Sequence, residues 1–188
     1  MKHRCAWVPE NELYQSYHDQ EWGVPVHEDG KHFEFLVLDG MQAGLSWLTI
    51  LRKRENFRHA FDDFKPELIA EYQQEKIDSL LLDSGIIRNK TKIKSAITNA
   101  RCFLEVQKEY GSFDTYIWNF VDGQTIQNAW LRIKDIPAKT PESERMSLDL
   151  VKRGFKFVGA TICYAYMQAA GLVNDHTLDC FRYKELNP

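Results

Sequence analysis

The chain predicts an all-α single domain, on three observations. Apolar residues recur at helical spacing along most of the sequence, strand-type alternation is scarce, and no repeat, linker or low-complexity tract divides the 188 residues. Residues 46–61 carry Trp47, Ile50, Leu51, Phe57 and Phe61 on one side and Arg52, Lys53 and Arg54 on the other. The spacing predicts a second helix over 66–83, with Pro66 just inside its start and Ile69, Ile77, Leu80 and Leu81 as its apolar stripe. The clearest helix is 91–110. There Ile93, Ala96, Ile97, Ala100, Phe103 and Leu104 share one face, while Lys92, Glu105 and Glu109 fall away from it. Residues 122–140 are the least regular and are expected to be loop. Two further helices are expected over 141–152 and 157–171.

Composition narrows the function classes. Hydrophobic residues at 44% and charged residues at 27% exclude a disordered chain. The net charge of −3 excludes a strongly basic coat but leaves room for a local basic patch. Four dispersed cysteines are too few for a disulfide scaffold. The first ten residues have no apolar core of the kind a secretory leader needs. The uncharged run 157–174 contains two glycines, two tyrosines, Thr161 and Gln168, so it reads as a buried helix and not a membrane span. A cytoplasmic monomer with no membrane contact is the expectation.

Cys5 and His18 near the start, and His176 and Cys180 near the end, form a metal-ligand pattern. Two thiolates and two imidazoles are a closed tetrahedral set suited to structural zinc, which would staple the two ends of the chain together. His176 and Cys180 stand at i and i+4, as on one face of a helical turn. The competing reading is two buried cysteines and two surface histidines. Trp7, Tyr14, Tyr17 and Trp22 are interleaved with Cys5 and His18; they are either core or rigid faces for a nucleobase.

In the stretch FLVLDGMQAGLSWLTIL, residues 35–51, Asp39 is the only charge. A lone carboxylate among apolar residues either caps a helix or turn, here before Gly40, or works in a pocket. Gly44 and Leu45 form a small-then-apolar pair ahead of Trp47. Residues 80–97 read as helix, short turn at Ser84-Gly85, then a basic entry into the next helix with Arg88, Lys90, Lys92 and Lys94. Such a turn is either an ordinary hairpin with a solvated basic face or a cradle for phosphates that ignores base sequence.

Together these residues closely resemble the 3-methyladenine DNA glycosylase I family, constitutive bacterial alkylation-repair enzymes of the helix-hairpin-helix superfamily. The matching strings are RCAW (4–7), LYQSYHDQEWGVP (13–25), QAGLSWLTILRKREN (42–56), GIIRNK (85–90) and KRGFKFVGATICYAYMQAAGLVNDH (152–176). The resemblance implies one DNA glycosylase domain over 1–188, a helix-hairpin-helix element near 75–100, and one structural zinc ion on Cys5, His18, His176 and Cys180. It implies monofunctional hydrolysis of the N-glycosidic bond of 3-methyladenine in alkylated double-stranded DNA, by base flipping and without strand cleavage.

In that scheme Asp39 and Tyr17 are catalytic and hydrogen-bond the base, while Trp47, Trp7, Tyr14 and Trp22 enclose it. Gln42, Gly44 and Leu45 fill the vacated stack, and Gly85, Arg88 and Lys90 hold the DNA backbone. The family's usual residue at position 39 is Glu. Asp39 is one methylene shorter, so retained activity with some loss is expected. The alternatives are a non-catalytic binder of alkyl lesions and, more remotely, a zinc-dependent hydrolase of a small substrate.

Overall fold

In the computed structural model, residues 2–187 are described, and among them helix dominates. The first half holds α1 (Glu12–Gln20), α2 (Asp29–Gln42), α3 (Trp47–Ala60), α4 (Pro66–Ile69) and α5 (Gln74–Leu82). The second holds α6 (Lys90–Tyr110), α7 (Phe113–Trp118), α8 (Pro141–Lys152), α9 (Ala160–Ala169) and α10 (Phe181–Glu185). The strands among the described residues are β1 (Ile126–Gln127) and β2 (Val173–Asn174), paired in parallel with Ile126 opposite Val173. No described helix is long and apolar enough to cross a membrane.

Local chemistry sets the helix starts. Asn11 accepts from the Tyr14 amide at 3.1 Å, Ser46 from Thr49 at 3.3 Å, and Ser112 from Thr115 at 3.0 Å. Thr140 and Ser143 exchange side-chain and backbone hydrogen bonds in a capping box ahead of α8. The long α6 stops at Gly111, whose φ of +84° suits a residue without Cβ.

The core is built around α2. It packs against α3, α6, α7 and α9, and every residue from His32 to Met41 is buried. This helix and α1 have no counterpart in the predicted elements. Residues 32–41 of α2 are all buried, so the helix exposes no polar face there, and α1 is short and polar, so neither announces itself.

Three predicted elements need correction. The single helix over 66–83 is two, α4 and α5, parted by residues 70–73. The Ala70 carbonyl accepts from Arg101 Nε at 2.9 Å, and Tyr72 turns to give its hydroxyl to Asp62 at 2.5 Å. The helix predicted from 157 begins at Ala160, because Phe157 has a φ of +56° and Gly159 is the N-cap. Lys92 does not fall away from the apolar face of α6. Its side chain is buried, its alkyl stem lies in the core, and its ammonium satisfies carbonyls at the end of α2. The expected loop 122–140 is mostly irregular, with β1 and one turn of 3-10 helix at Ile133–Asp135 inside it.

Candidate active site and metal centre

Asp39 lies inside the last turn of α2, so the N-capping and turn roles are excluded: its helix starts ten residues earlier, at Asp29, and continues to Gln42. The carboxylate is 5% exposed and its Oδ2 has no hydrogen-bond partner. Burial alone pushes its pKa up to about 8. It lines a cavity of about 420 Å³ together with Trp7, Tyr14, Tyr17, Trp22, Gln42 and Trp47. Trp47 opens α3 and leaves its own buried indole Nε1 without an acceptor. The cavity thus presents one unpaired acceptor and one unpaired donor between aromatic faces, the features of a site for a flat polar ligand.

The rings are held by contact with one another. Tyr17 and Trp47 lie 5.3 Å apart, Trp7 meets Trp22 edge-on at 4.9 Å and Tyr14 at 5.5 Å. Tyr17 is buried, and desolvation followed by the nearby Asp39 charge raises its hydroxyl well above the usual phenol range. It is therefore a donor across the physiological pH range.

The remaining wall was not read from the sequence. Thr161, Tyr164, Ala165 and Gln168 project from one face of α9, and Ile133, Ile136, Pro137 and Ala138 close the side opposite with apolar surface. Asp175 organises this wall. Buried at 1% exposure, it accepts from Tyr164 at 2.5 Å and from Gln168, Trp130 and Asn128 at 2.7 Å each. The i, i+3, i+7 spacing of polar groups at 161, 164 and 168 in an otherwise apolar run is the signal that marks this face.

Behind the aromatic rings, Cys5, His18, His176 and Cys180 are all buried, and their ligand atoms lie within 4.8 Å of one another. The reading of two surface histidines is excluded by their 0% exposure. The Cys5 Sγ···His176 Nδ1, Cys180 Sγ···His176 Nδ1 and Cys180 Sγ···His18 Nε2 distances are 3.5, 3.4 and 3.5 Å. A tetrahedron with metal–sulfur bonds of about 2.3 Å and metal–nitrogen bonds of about 2.05 Å has S···N edges of about 3.5 Å, so the set fits an ion.

The far ring nitrogens are occupied as well: His18 Nδ1 faces Asp19 at 2.8 Å and His176 Nε2 faces the Trp22 carbonyl at 3.0 Å. Protein groups already lower the Cys180 thiol, chiefly a hydrogen bond from Cys5 and then those from His176 and His18. His176 and Cys180 are joined by a turn, with Cys180 N donating to Thr177 O at 2.8 Å, and not by the predicted helical turn. Trp7 and Trp22 pack on these imidazoles at 5.4 Å and 4.6 Å, so the cluster braces the cavity.

The rim of the cavity leads to two exposed segments. Between α2 and α3, Gly44 adopts a φ of +78° and leaves Leu45 exposed, with Gln42 Nε2 donating to the Leu45 carbonyl at 2.6 Å. The turn between α5 and α6 holds Gly85, with Arg88 and Lys90 exposed beyond it. Lys53 and Asn56 of α3 donate to the Ser84 and Gly85 carbonyls at 2.8 and 3.4 Å. Lys92 Nζ donates to Met41 O at 2.8 Å and Ala43 O at 2.6 Å. These bonds fasten the two segments to one another. Because Lys92 is committed there, the basic face is carried by Arg88, Lys90 and Lys94 without it.

Comparison with known proteins gives a consistent picture. The sequence profile of the methyladenine glycosylase family matches residues 7–183. The chain is 46% identical to DNA-3-methyladenine glycosylase 1 of Escherichia coli (strain K12), over 98% of this chain and 99% of that one. It resembles a crystal structure of 3-methyladenine DNA glycosylase I with a TM-score of 0.93 at 50% identity, covering 95% and 98% of the two chains. A 3-methyladenine DNA glycosylase I from Staphylococcus aureus, solved for the basis of its 3-methyladenine recognition, matches with a TM-score of 0.92 at 34% identity. That match covers 95% of each chain.

Proposed function

The chain belongs to the methyladenine glycosylase family, and on that premise we propose how its single DNA glycosylase domain excises 3-methyladenine from alkylated double-stranded DNA. The observation that carries the proposal is the unpartnered Asp39 oxygen inside an aromatic cavity. Alkylation at N3 makes the base cationic and its bond to the sugar weak. The protein therefore needs to extrude the nucleotide and hold its base, not to protonate the leaving group strongly.

Asp39 accepts from the amine side of the base; the cationic base favours its ionised form, and that carboxylate opposes the positive charge there and on the sugar as the bond breaks. The base leaves as a neutral molecule with the electron pair of the broken bond, and water adds its oxygen to the sugar cation and releases a proton to solvent. Tyr17 donates from the opposite side. Trp47 and Trp7 supply the stacking faces, and Tyr14 and Trp22 complete the enclosure. The shorter Asp39 side chain leaves space that the base enters further or a water fills.

Leu45, supported by Gln42 and Gly44, occupies the vacated stack. α5, its turn and α6 act as the helix-hairpin-helix element, with Gly85, Arg88 and Lys90 at the backbone of the DNA. One zinc ion on Cys5, His18, His176 and Cys180 has a structural role; four protein ligands leave it no open position for water. The nearest acids beyond the turn, Glu105 and Glu109, are exposed and paired with Lys108 and Arg153, and no lysine lines the cavity. This supports hydrolysis without strand cleavage.

The test is release of free 3-methyladenine from methylated duplex DNA by wild type, Asp39→Asn and Asp39→Glu, with strand integrity followed alongside. Release by wild type, retention in Asp39→Glu and a loss of about 100-fold or more in Asp39→Asn are expected. No release by wild type would leave a lesion-binding protein in place of an enzyme.

A further inference from the structure

The basic face of the α5–α6 turn continues past it into a cleft. Lys90, Thr91, Lys94 and Thr98 of α6 face Lys156 and Phe157 across a cleft of about 580 Å³, and no acidic residue lines it. The whole chain carries 27 acidic and 24 basic residues, yet none of these three lysines is in an ion pair among the described residues. Positive charge concentrated and left uncompensated on an acidic protein is costly unless a polyanion completes it.

The cleft is built and not merely exposed. Buried Asn99 grips the Lys156 backbone from both sides, accepting from its amide at 2.7 Å and donating to its carbonyl at 3.0 Å. Buried Ser147 donates to the Val158 carbonyl at 2.7 Å. Between these clamps Phe157 is held at a φ of +56°, a conformation that costs about 1–3 kcal/mol for a residue with a side chain. Its Cβ lies 3.5 Å from where a Cβ on Gly40 would be, one residue past Asp39. The strained loop therefore sets Lys156 at a fixed place relative to the cavity. The α6 start is not the anion site, because Asn89 Oδ1 already takes the Thr91 and Lys92 amides at 3.0 and 3.1 Å.

We propose that this cleft binds the sugar–phosphate backbone of duplex DNA, with Lys156, across from Lys94 of the basic face, as a phosphate contact outside the α5–α6 turn. The inference rests on the glycosylase reading and extends its footprint across α6 to the loop before α9. Contacts of this kind add affinity and hold register without reading sequence.

The experiment is salt-dependent binding of a short duplex carrying a tetrahydrofuran abasic analogue, by fluorescence anisotropy, for wild type, Lys94→Ala, Lys156→Ala and the double variant. Each single change is expected to reduce the slope of log affinity against log salt by about 1, and the double by about 2. Base release from methylated duplex at saturating DNA, and the thermal shift produced by free 3-methyladenine, are expected to stay at wild-type values. Equal slopes and affinities for wild type and the double variant would overturn the cleft while leaving the glycosylase reading intact. A wild type that neither binds the duplex nor releases the base would overturn both.

Discussion

Two carboxylates on α2 stand five residues apart, are each 5% exposed, and have opposite fates. Glu34 accepts from Arg54 Nε at 2.7 Å, from Arg58 at 2.9 Å and from Lys31 at 3.1 Å. Against the desolvation that burial imposes, Arg54 and then Lys31 hold Glu34 below the usual carboxylate range. Asp39 has burial without a partner and is pushed up to about 8. The same helix thus carries one buried carboxylate whose charge the fold satisfies and one whose charge burial disfavours until something else pairs with it. Arg54 also grips Glu21 with both terminal nitrogens, at 2.7 and 2.8 Å, fixing the end of α1 that carries Tyr17 and leads into Trp22. Satisfied charge positions the cavity, and the unpartnered carboxyl waits within it.

The thiolates of the Cys/His cluster offer a third solution, a cation from outside, and breaking it is expected to have the largest effect on stability. Cys180→Ser should abolish stoichiometric zinc, measured by elemental analysis, and lower unfolding free energy by more than about 3 kcal/mol. Next comes Glu34→Gln, expected to cost about 2 kcal/mol in denaturant unfolding. A fully orphaned buried partner costs about 3–5 kcal/mol, but here Arg54 keeps Glu21. Because Glu34 is lowered, the stability it contributes is present above its unfolded value of 4.5 and is lost as pH falls through the folded one. The gap between wild type and Glu34→Gln should therefore close in acid.

Asp39→Asn sharpens the contrast by reversing the sign. A raised carboxylate favours the fold below its unfolded value of 3.8, and that advantage is lost as pH rises through about 8. Thermal unfolding should find wild type and Asp39→Asn alike near pH 4. The variant should become more stable toward pH 8, by up to about 2–4 kcal/mol, although its base release is impaired.

Much of this was legible from residue pattern. The amphipathic spans of α3, α6 and α8 stand out at helical period, and Cys5, His18, His176 and Cys180 are chemically distinctive enough to be grouped across a long gap in the chain. What escaped has physical reasons. The central helix α2 is buried over residues 32–41, with no exposed face to set its bounds, so Asp39 before Gly40 looked as much like a turn residue as a pocket residue. Lys92 counts as solvated charge in any periodicity argument, because nothing local reveals that two carbonyls at the end of α2 await its ammonium. The wall at Ile133–Ala138 comes from an irregular segment that only tertiary bonds, through Trp130 to Asp175, bring to the cavity.

The account turns on Asp39 being a buried carboxylate to which the fold gives no partner. Its titration, followed by carbon-13 NMR of the side-chain carboxyl in the ligand-free protein and assigned by the signal missing from Asp39→Asn, tests that directly. A midpoint near 8 is the predicted result. A midpoint near the ordinary aspartate value of about 4 would mean that the protein or its solvent already satisfies the carboxylate, and the account would be contradicted.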